Sequence, residues 1–231
     1  MQSATLEHQK LLEWGVASLP LAGETVSGDM HAIRPFEHGA LVAVVDGLGH
    51  GAEATEAAQA AVTELSRNPQ FPVIALVNRC HTILARTRGV VMTLASLNAL
   101  DSTVTCLGVG NVEALLLRAD TSASHSRETV LLRNGIVGHL LPALVASVLT
   151  VSAGDLLIFA TDGIRPSFAD DLDQALSPQQ LADQIMAGHF KGTDDALVLV
   201  VRYRGRCREQ VSAQGAPGRS RCGGVPIGCR Q

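Results

Sequence analysis

Residues 41–62 read LVAVVDGLGHGAEATEAAQAAV: an apolar run enters a carboxylate, turns on glycine and restarts as an alanine-rich stretch. Apolar residues without alternation predict a strand buried on both faces, ending at Asp46. Gly47, Gly49 and Gly51 then alternate with other residues. The following GAEATEAAQAAVTELSR carries helical propensity, with an apolar stripe that includes Ala57, Ala61 and Leu65. Such a junction suits a strand-end metal site, a phosphate loop or a plain turn.

Outward from this junction, LLEWGVASLPL (11–21) and GDMHAIRPF (28–36) read as strands separated by a turn-rich segment. FPVIALVNRCHTILART (71–87) reads as a second helix with Pro72 near its first turn. From Gly89 the pattern becomes β-rich: GVVMTLASLNA, STVTCLGVG, NVEALLLRA, ETVLLRN and GDLLIFATDG. SPQQLADQIMAG (177–188) has a serine cap, proline at the first helical position and glycine at its end. DDALVLVVRYR (194–204) closes the series as a strand. Strands in a row, two central helices, more strands, then a helix and a strand predict a layered α+β architecture, not alternating βαβ units.

From Gly205 the composition turns to Gly, Arg, Pro and Ser, with five arginines against one glutamate in a chain whose net charge is −4. A segment of this kind buries too little surface to offset its ordering entropy. Residues 1–204 are therefore expected to form one domain and residues 205–231 a disordered basic tail.

Aromatic residues make up only 3% of the chain, so the core must come from Val, Leu, Ile and Ala, and base stacking is poorly served. The net negative charge argues against nucleic-acid binding. No apolar run reaches the roughly 18–20 residues of a bilayer span, and the N-terminus lacks a basic region followed by an apolar one. These features predict a cytoplasmic protein that does not engage membranes. Cys80 and Cys106 sit in apolar settings and are expected to be buried thiols, while Cys207, Cys222 and Cys229 lack zinc spacing.

Four carboxylates adjoin apolar strands: Asp29 after Gly28, Asp46, Asp162 ending LLIFATD, and Asp194 opening the last strand. Each alone is an ordinary turn or cap residue. Together they place acids on one rim, where they repel and protonate unless a cation compensates them. Oxygen donors favour Mg²⁺ or Mn²⁺ over zinc, and two such ions about 3.5–4 Å apart can hold a bridging hydroxide and polarise a phosphoryl group.

VVDGLGHG, GVGNVEALL, FATDGI and GTDDALVLVVR, in this order, resemble the metal-dependent serine/threonine phosphatases of the PPM family, in their compact bacterial SpoIIE-like branch. The resemblance spans about residues 10–203, and the SGDMH…LVAVVDGLGHG opening looks most similar to the stressosome feedback phosphatases. It implies a four-layer αββα sandwich, two antiparallel sheets flanked by helices, with two metal ions at one edge. It further implies that Asp46 bridges both ions, that the Gly47 carbonyl ligates one, and that Asp162 and Asp194 complete one shell. Asp29 would serve the other ion, directly or through water. The implied reaction is hydrolysis of phosphoserine or phosphothreonine by the bridging hydroxide. The implied partners are phosphorylated regulatory proteins, the scaffold and antagonist proteins of a stressosome.

The chain departs from the family pattern twice. No basic residue lies between Leu11 and Asp29 to hold phosphate, which leaves the metals or a loop residue such as Arg165. Leu197 stands where the last motif has Thr or Ser, and Asp195 reads as a strand-start residue. His50 can orient a metal-bound water, protonate the leaving oxygen, or simply contact backbone at a helix start. His139 reads as a loop residue, Asn111 as a tight-turn residue after Gly110, and Thr93 and Ser96 as satisfied hydroxyls. Asp170 and Asp171 read as a solvated acidic loop, the alternative being a third metal site. A catalytically silent module that binds phosphoproteins is the competing function. A nucleotide loop fails for want of a Walker lysine or GxGxxG order, and calcium binding for want of an EF-hand loop.

Overall fold

A computed structural model describes residues 11–120, 126–170 and 172–205. Two sheets lie face to face. The first contains β1 (Leu12–Leu19), β6 (Glu113–Leu117), β7 (Arg127–Thr129), β10 (Leu156–Ala160) and β11 (Ala196–Tyr203), in the order β1–β11–β10–β6–β7. The second runs β2 (Asp29–Phe36), β3 (Gly39–Gly47), β4 (Val90–Asn98), β5 (Thr103–Val109). Two short strands, β8 (Leu132–Arg133) and β9 (Ser147–Thr150), both pair with β5, the first parallel and the second antiparallel.

Helices α1 (Ala52–Arg67) and α2 (Val73–Leu84) cover the outer face of the second sheet, and α3 (Pro178–His189) covers that of the first. The order helix, sheet, sheet, helix is the αββα sandwich that the resemblance implied. β3 explains why its sequence shows no alternation: Val42 and Val44 fill the space between the sheets, while Leu41, Ala43 and Val45 pack under α1 and α2. Ala57, Ala61 and Leu65 form the buried stripe of α1. Burying a leucine such as Leu65 removes enough apolar surface from water to contribute about 1.5–3 kcal/mol.

α3 begins with a full capping box, in which the Ser177 side chain accepts from Gln180 N–H and the Gln180 side chain accepts from Ser177 N–H. It lies so close to β1 that a side-chain carbon on Gly15 would come within 2.3 Å of Gln179 Cα. The Gln179 amide bonds both the N–H and the carbonyl of Val16, which satisfies part of an edge strand. The helix continues through Gly188 to His189, one residue beyond the glycine expected to stop it.

Other departures have local causes. ETVLLRN is not one strand: Val130 N–H still bonds Ala114 in the first sheet, whereas Leu132 and Arg133 pair with β5 in the second. The chain changes sheets within three residues. β9 lies at the margin of its sheet, its residues alternating between half-buried and exposed. α2 is shorter at both ends, with Pro72 as the residue preceding its first turn. Cys80 and Cys106 are buried free thiols, and burial pushes both up to about 12. No helix among the described residues is long and apolar enough to cross a membrane. Residues 206–231 and Asp171 lie outside the described residues.

Candidate metal centre

The four carboxylates meet at one end of the sandwich. β2 and β3 pair with Asp29 directly opposite Asp46. Like charges facing across neighbouring strands are destabilising unless something neutralises them. From the other sheet come Asp162, two residues past β10, and Asp194, two residues before β11. A hydroxyl joins the two sheets here: Thr161 Oγ1 donates to Asp29 Oδ2 at 2.7 Å and accepts from Leu197 N–H at 2.8 Å. Leu197 removes a side-chain hydroxyl from β11, and Thr161 on the adjacent strand end orients a carboxylate in the same cluster.

Asn111 is more than a turn residue. Gly110 takes φ +98 in the connection from β5 to β6, and the Asn111 amide then donates to Asp162 Oδ2 at 2.8 Å. The Thr93 hydroxyl braces the same connection by donating to the Val112 carbonyl at 2.7 Å. Lys191 N–H bonds the Gly163 carbonyl, and its ammonium donates to the Asp162 carbonyl, so Asp162 is held from both ends. Arg165 points elsewhere, toward the Gly188 carbonyl.

Gly47 and Gly28 are required by close packing. A side-chain carbon on Gly47 would fall 2.1 Å from the Ala54 carbonyl oxygen of α1. One on Gly28 would press on the Ala54 methyl, Asp195 Oδ2 and the Gly47 carbonyl oxygen. Asp195 is a fifth carboxylate of the group, buried, with each oxygen accepting a backbone N–H, from Leu21 and from Gly28.

Burial and mutual repulsion leave a clear electrostatic mark. Asp46 is pushed up to about 9, first by burial, then by Asp29, Asp162, Asp194 and Asp195. Asp29 is pushed up to about 7 by burial and by Asp195, Asp162 and Asp194, against the Thr161 hydrogen bond. Burial likewise raises Asp194, while its bond from Asp195 N–H and the nearby His50 oppose the rise. Among the described residues no three acidic, histidine or cysteine side chains form a ready-made metal cage. Without a cation, repulsion and protonation keep the oxygens apart. Magnesium in any case keeps several waters and needs only one or two carboxylates. The donor set is all oxygen and carries excess negative charge, which fits a hard divalent ion.

The hydroxyl of Thr161 gives a direct test of this balance. Thr161→Val is expected to lose about 1–3 kcal/mol and to drive Asp29 further toward its neutral form, weakening magnesium binding. Thermal melts with and without magnesium check both effects. An unchanged midpoint and an unchanged magnesium response would show that the hydroxyl is idle.

His50 stands at the rim with its Nδ1 2.7 Å from Glu24 Oε1. His139 lies apart, bonded to the Thr87 carbonyl at 2.9 Å. Asp170 is exposed and ends a short 3-10 turn. The sequence offered faint signals for Asn111, inside GVGNVEALL, and for Thr161, the residue before a strand-end aspartate. It offered none for Glu24.

Residues 37–204 match the family model for stage II sporulation protein E (SpoIIE). The chain is 24% identical over 192 residues to the phosphoserine phosphatase RsbX of Bacillus subtilis (strain 168), covering 82% of this chain and 94% of that protein. A chain solved in work on the bacterial stressosome, described as a modular system adapted to control secondary messenger signaling, is 27% identical. It superposes with a TM-score of 0.74, covering 83% of this chain and 99% of its own. RsbX in complex with magnesium superposes with a TM-score of 0.75 at 21% identity, covering 84% and 96%.

Proposed function

This chain belongs to the SpoIIE family of metal-dependent phosphatases, and on that premise we propose that it removes phosphate from phosphoserine or phosphothreonine on regulatory proteins of the stressosome type. The carrying observation is the cross-strand pair Asp29 and Asp46, tied across the sandwich through Thr161 and faced by Asp162 and Asp194. Nothing in a fold gains from gathering these acids except the cation they attract. In this reading Asp46 would help to hold both of two Mg²⁺ or Mn²⁺ ions, the Gly47 carbonyl, Asp162 and Asp194 would help to hold one of them, and Asp29 would help to hold the other. Bound there, the ions neutralise phosphoryl charge and make a water acidic enough to act as nucleophile.

The chain's own residues supply orientation. Asn111 and Lys191 fix Asp162 by its carboxylate and its carbonyl. Thr161 aims Asp29, and Asp195 pins the loop that carries Gly28. The phosphoserine specificity named for RsbX and the stressosome setting of a solved relative support the substrate class.

The test is hydrolysis of p-nitrophenyl phosphate and of a phosphoserine protein by EDTA-treated chain, with and without Mn²⁺ or Mg²⁺. Release that returns with metal is expected. Binding of the phosphoprotein without any release would turn the reading toward a silent recognition module.

A further inference from the structure

Residues 20–28 join β1 to β2 and pass over the end of the sandwich where the carboxylates gather. Asp195 holds this loop at both ends, with Oδ1 accepting from Leu21 N–H and Oδ2 from Gly28 N–H, each at 2.7 Å. Glu24 N–H donates to the Leu21 carbonyl at 2.9 Å, a tight turn that carries the Glu24 carboxylate to the His50 imidazole. A side-chain carbon on Gly51 would meet Glu24 Oε2 at 3.2 Å, so glycine there leaves room for the carboxylate. Gly51 precedes α1, which has no side-chain cap, so Glu24 also lies beside the positive end of that helix. An exposed ion pair contributes little on its own. Here the side chains are 57% and 31% exposed, and the glutamate is fixed by loop, glycine and helix end as well as by its partner.

We infer that Glu24 is a positioning residue: it makes His50 Nδ1 a donor and turns Nε2 toward the oxygen that leaves phosphate. This rests on the phosphatase reading. An ionised carboxylate only accepts hydrogen bonds, so the nitrogen facing it carries a proton and the working atom is Nε2. A seryl oxygen is a poor leaving group unless protonated. Asp29, Asp46, Asp162 and Asp194 are acceptors once ionised, whereas His50 can donate from beside them. As a hydroxide oxygen bonds to phosphorus and the bond from phosphorus to the seryl oxygen breaks, the electron pair of that bond goes to the seryl oxygen, which takes the proton from imidazolium Nε2. The neutral imidazole then regains a proton from solvent.

Two substrates separate this role from a structural one. p-Nitrophenolate leaves without protonation, and a seryl oxygen does not. Glu24→Ala is expected to lower kcat on a phosphoserine peptide about 10–100-fold, with p-nitrophenyl phosphate changed by less than about threefold. The rise in thermal midpoint on adding magnesium stays as in the unmodified chain. Glu24→Gln, whose amide oxygen still accepts from Nδ1–H, retains most of the phosphoserine activity. In the metal-free chain, ¹⁵N NMR should find neutral His50 protonated on Nδ1, retained in Glu24→Gln and mixed in Glu24→Ala. Equal losses on both substrates, no loss on phosphoserine, or an unchanged tautomer in Glu24→Ala would overturn the inference. An unmodified chain without metal-dependent release of p-nitrophenol would remove the phosphatase reading, and this inference with it.

Discussion

Asp46→Asn is expected to lower turnover by about three orders of magnitude or more, to weaken metal binding, and to stabilise the metal-free chain. The first effect follows from charge. Several kcal/mol of phosphoryl neutralisation depend on the ions, and each 1.36 kcal/mol is about tenfold in rate. The fold survives because β3 is anchored independently, by Val42 and Val44 between the sheets and by Leu41, Ala43 and Val45 beneath the helices. The third effect is the less obvious one. With its folded-state pKa near 9, Asp46 must take up a proton to sit in the metal-free site at neutral pH. That uptake costs a few kcal/mol against the unfolded chain, and an amide avoids it. At roughly 2–4 °C per kcal/mol for a chain of this size, the metal-free variant should melt on the order of 10 °C higher at pH 7. The gain should vanish below about pH 3, where the carboxyl is protonated in both states. Turnover at the unmodified level, or a lower midpoint at pH 7, would remove Asp46 from the centre of the site.

The location of that carboxylate was legible because a strand buried on both faces leaves only its end to bear a charge. The same logic placed Asp29, Asp162 and Asp194 at strand ends. What a sequence cannot carry is register. That Asp29 stands directly opposite Asp46 depends on how β2 and β3 slide past each other, and no pattern within either strand encodes it. Long-range hydrogen bonds were hidden for the same reason. Thr161 and Asp29 are 132 residues apart, Asn111 and Asp162 are 51 apart, and Asp195 reaches 167 residues back to Gly28. Asp195 shows the limit most plainly. Its neighbour Asp194 carries the same side chain, yet backbone direction at the start of β11 buries one and leaves the other part-exposed at the rim. The division of ETVLLRN between two sheets is a further case, since each half is locally a good strand and only the sandwich decides which sheet receives it.

Metal binding should release protons and strengthen as pH rises. Asp29 and Asp46 both have folded-state pKa values above the ordinary carboxylate value of 3.8, about 7 and about 9. In the metal-free chain the unfolded state therefore loses these two protons at lower pH than the folded state does. Between about pH 4 and pH 9 the folded state binds more protons, so its stability falls as pH rises and levels off above the higher value. A divalent ion needs both groups ionised and displaces whatever protons remain. At pH 7 Asp46 is almost wholly protonated and Asp29 about half, so roughly one to one and a half protons should leave per site filled. Calorimetry in buffers of different ionisation enthalpy reads that number directly. In Asp46→Asn it should fall to about half a proton, with Asp29 as the remaining donor. Melts at saturating magnesium should be flat from about pH 6 to pH 9, where the metal-free chain loses stability, because both carboxyls are ionised in the metal-bound fold and in the unfolded chain alike. Binding without proton release at pH 7 would mean that the ion does not meet Asp29 and Asp46, however the sheets align them.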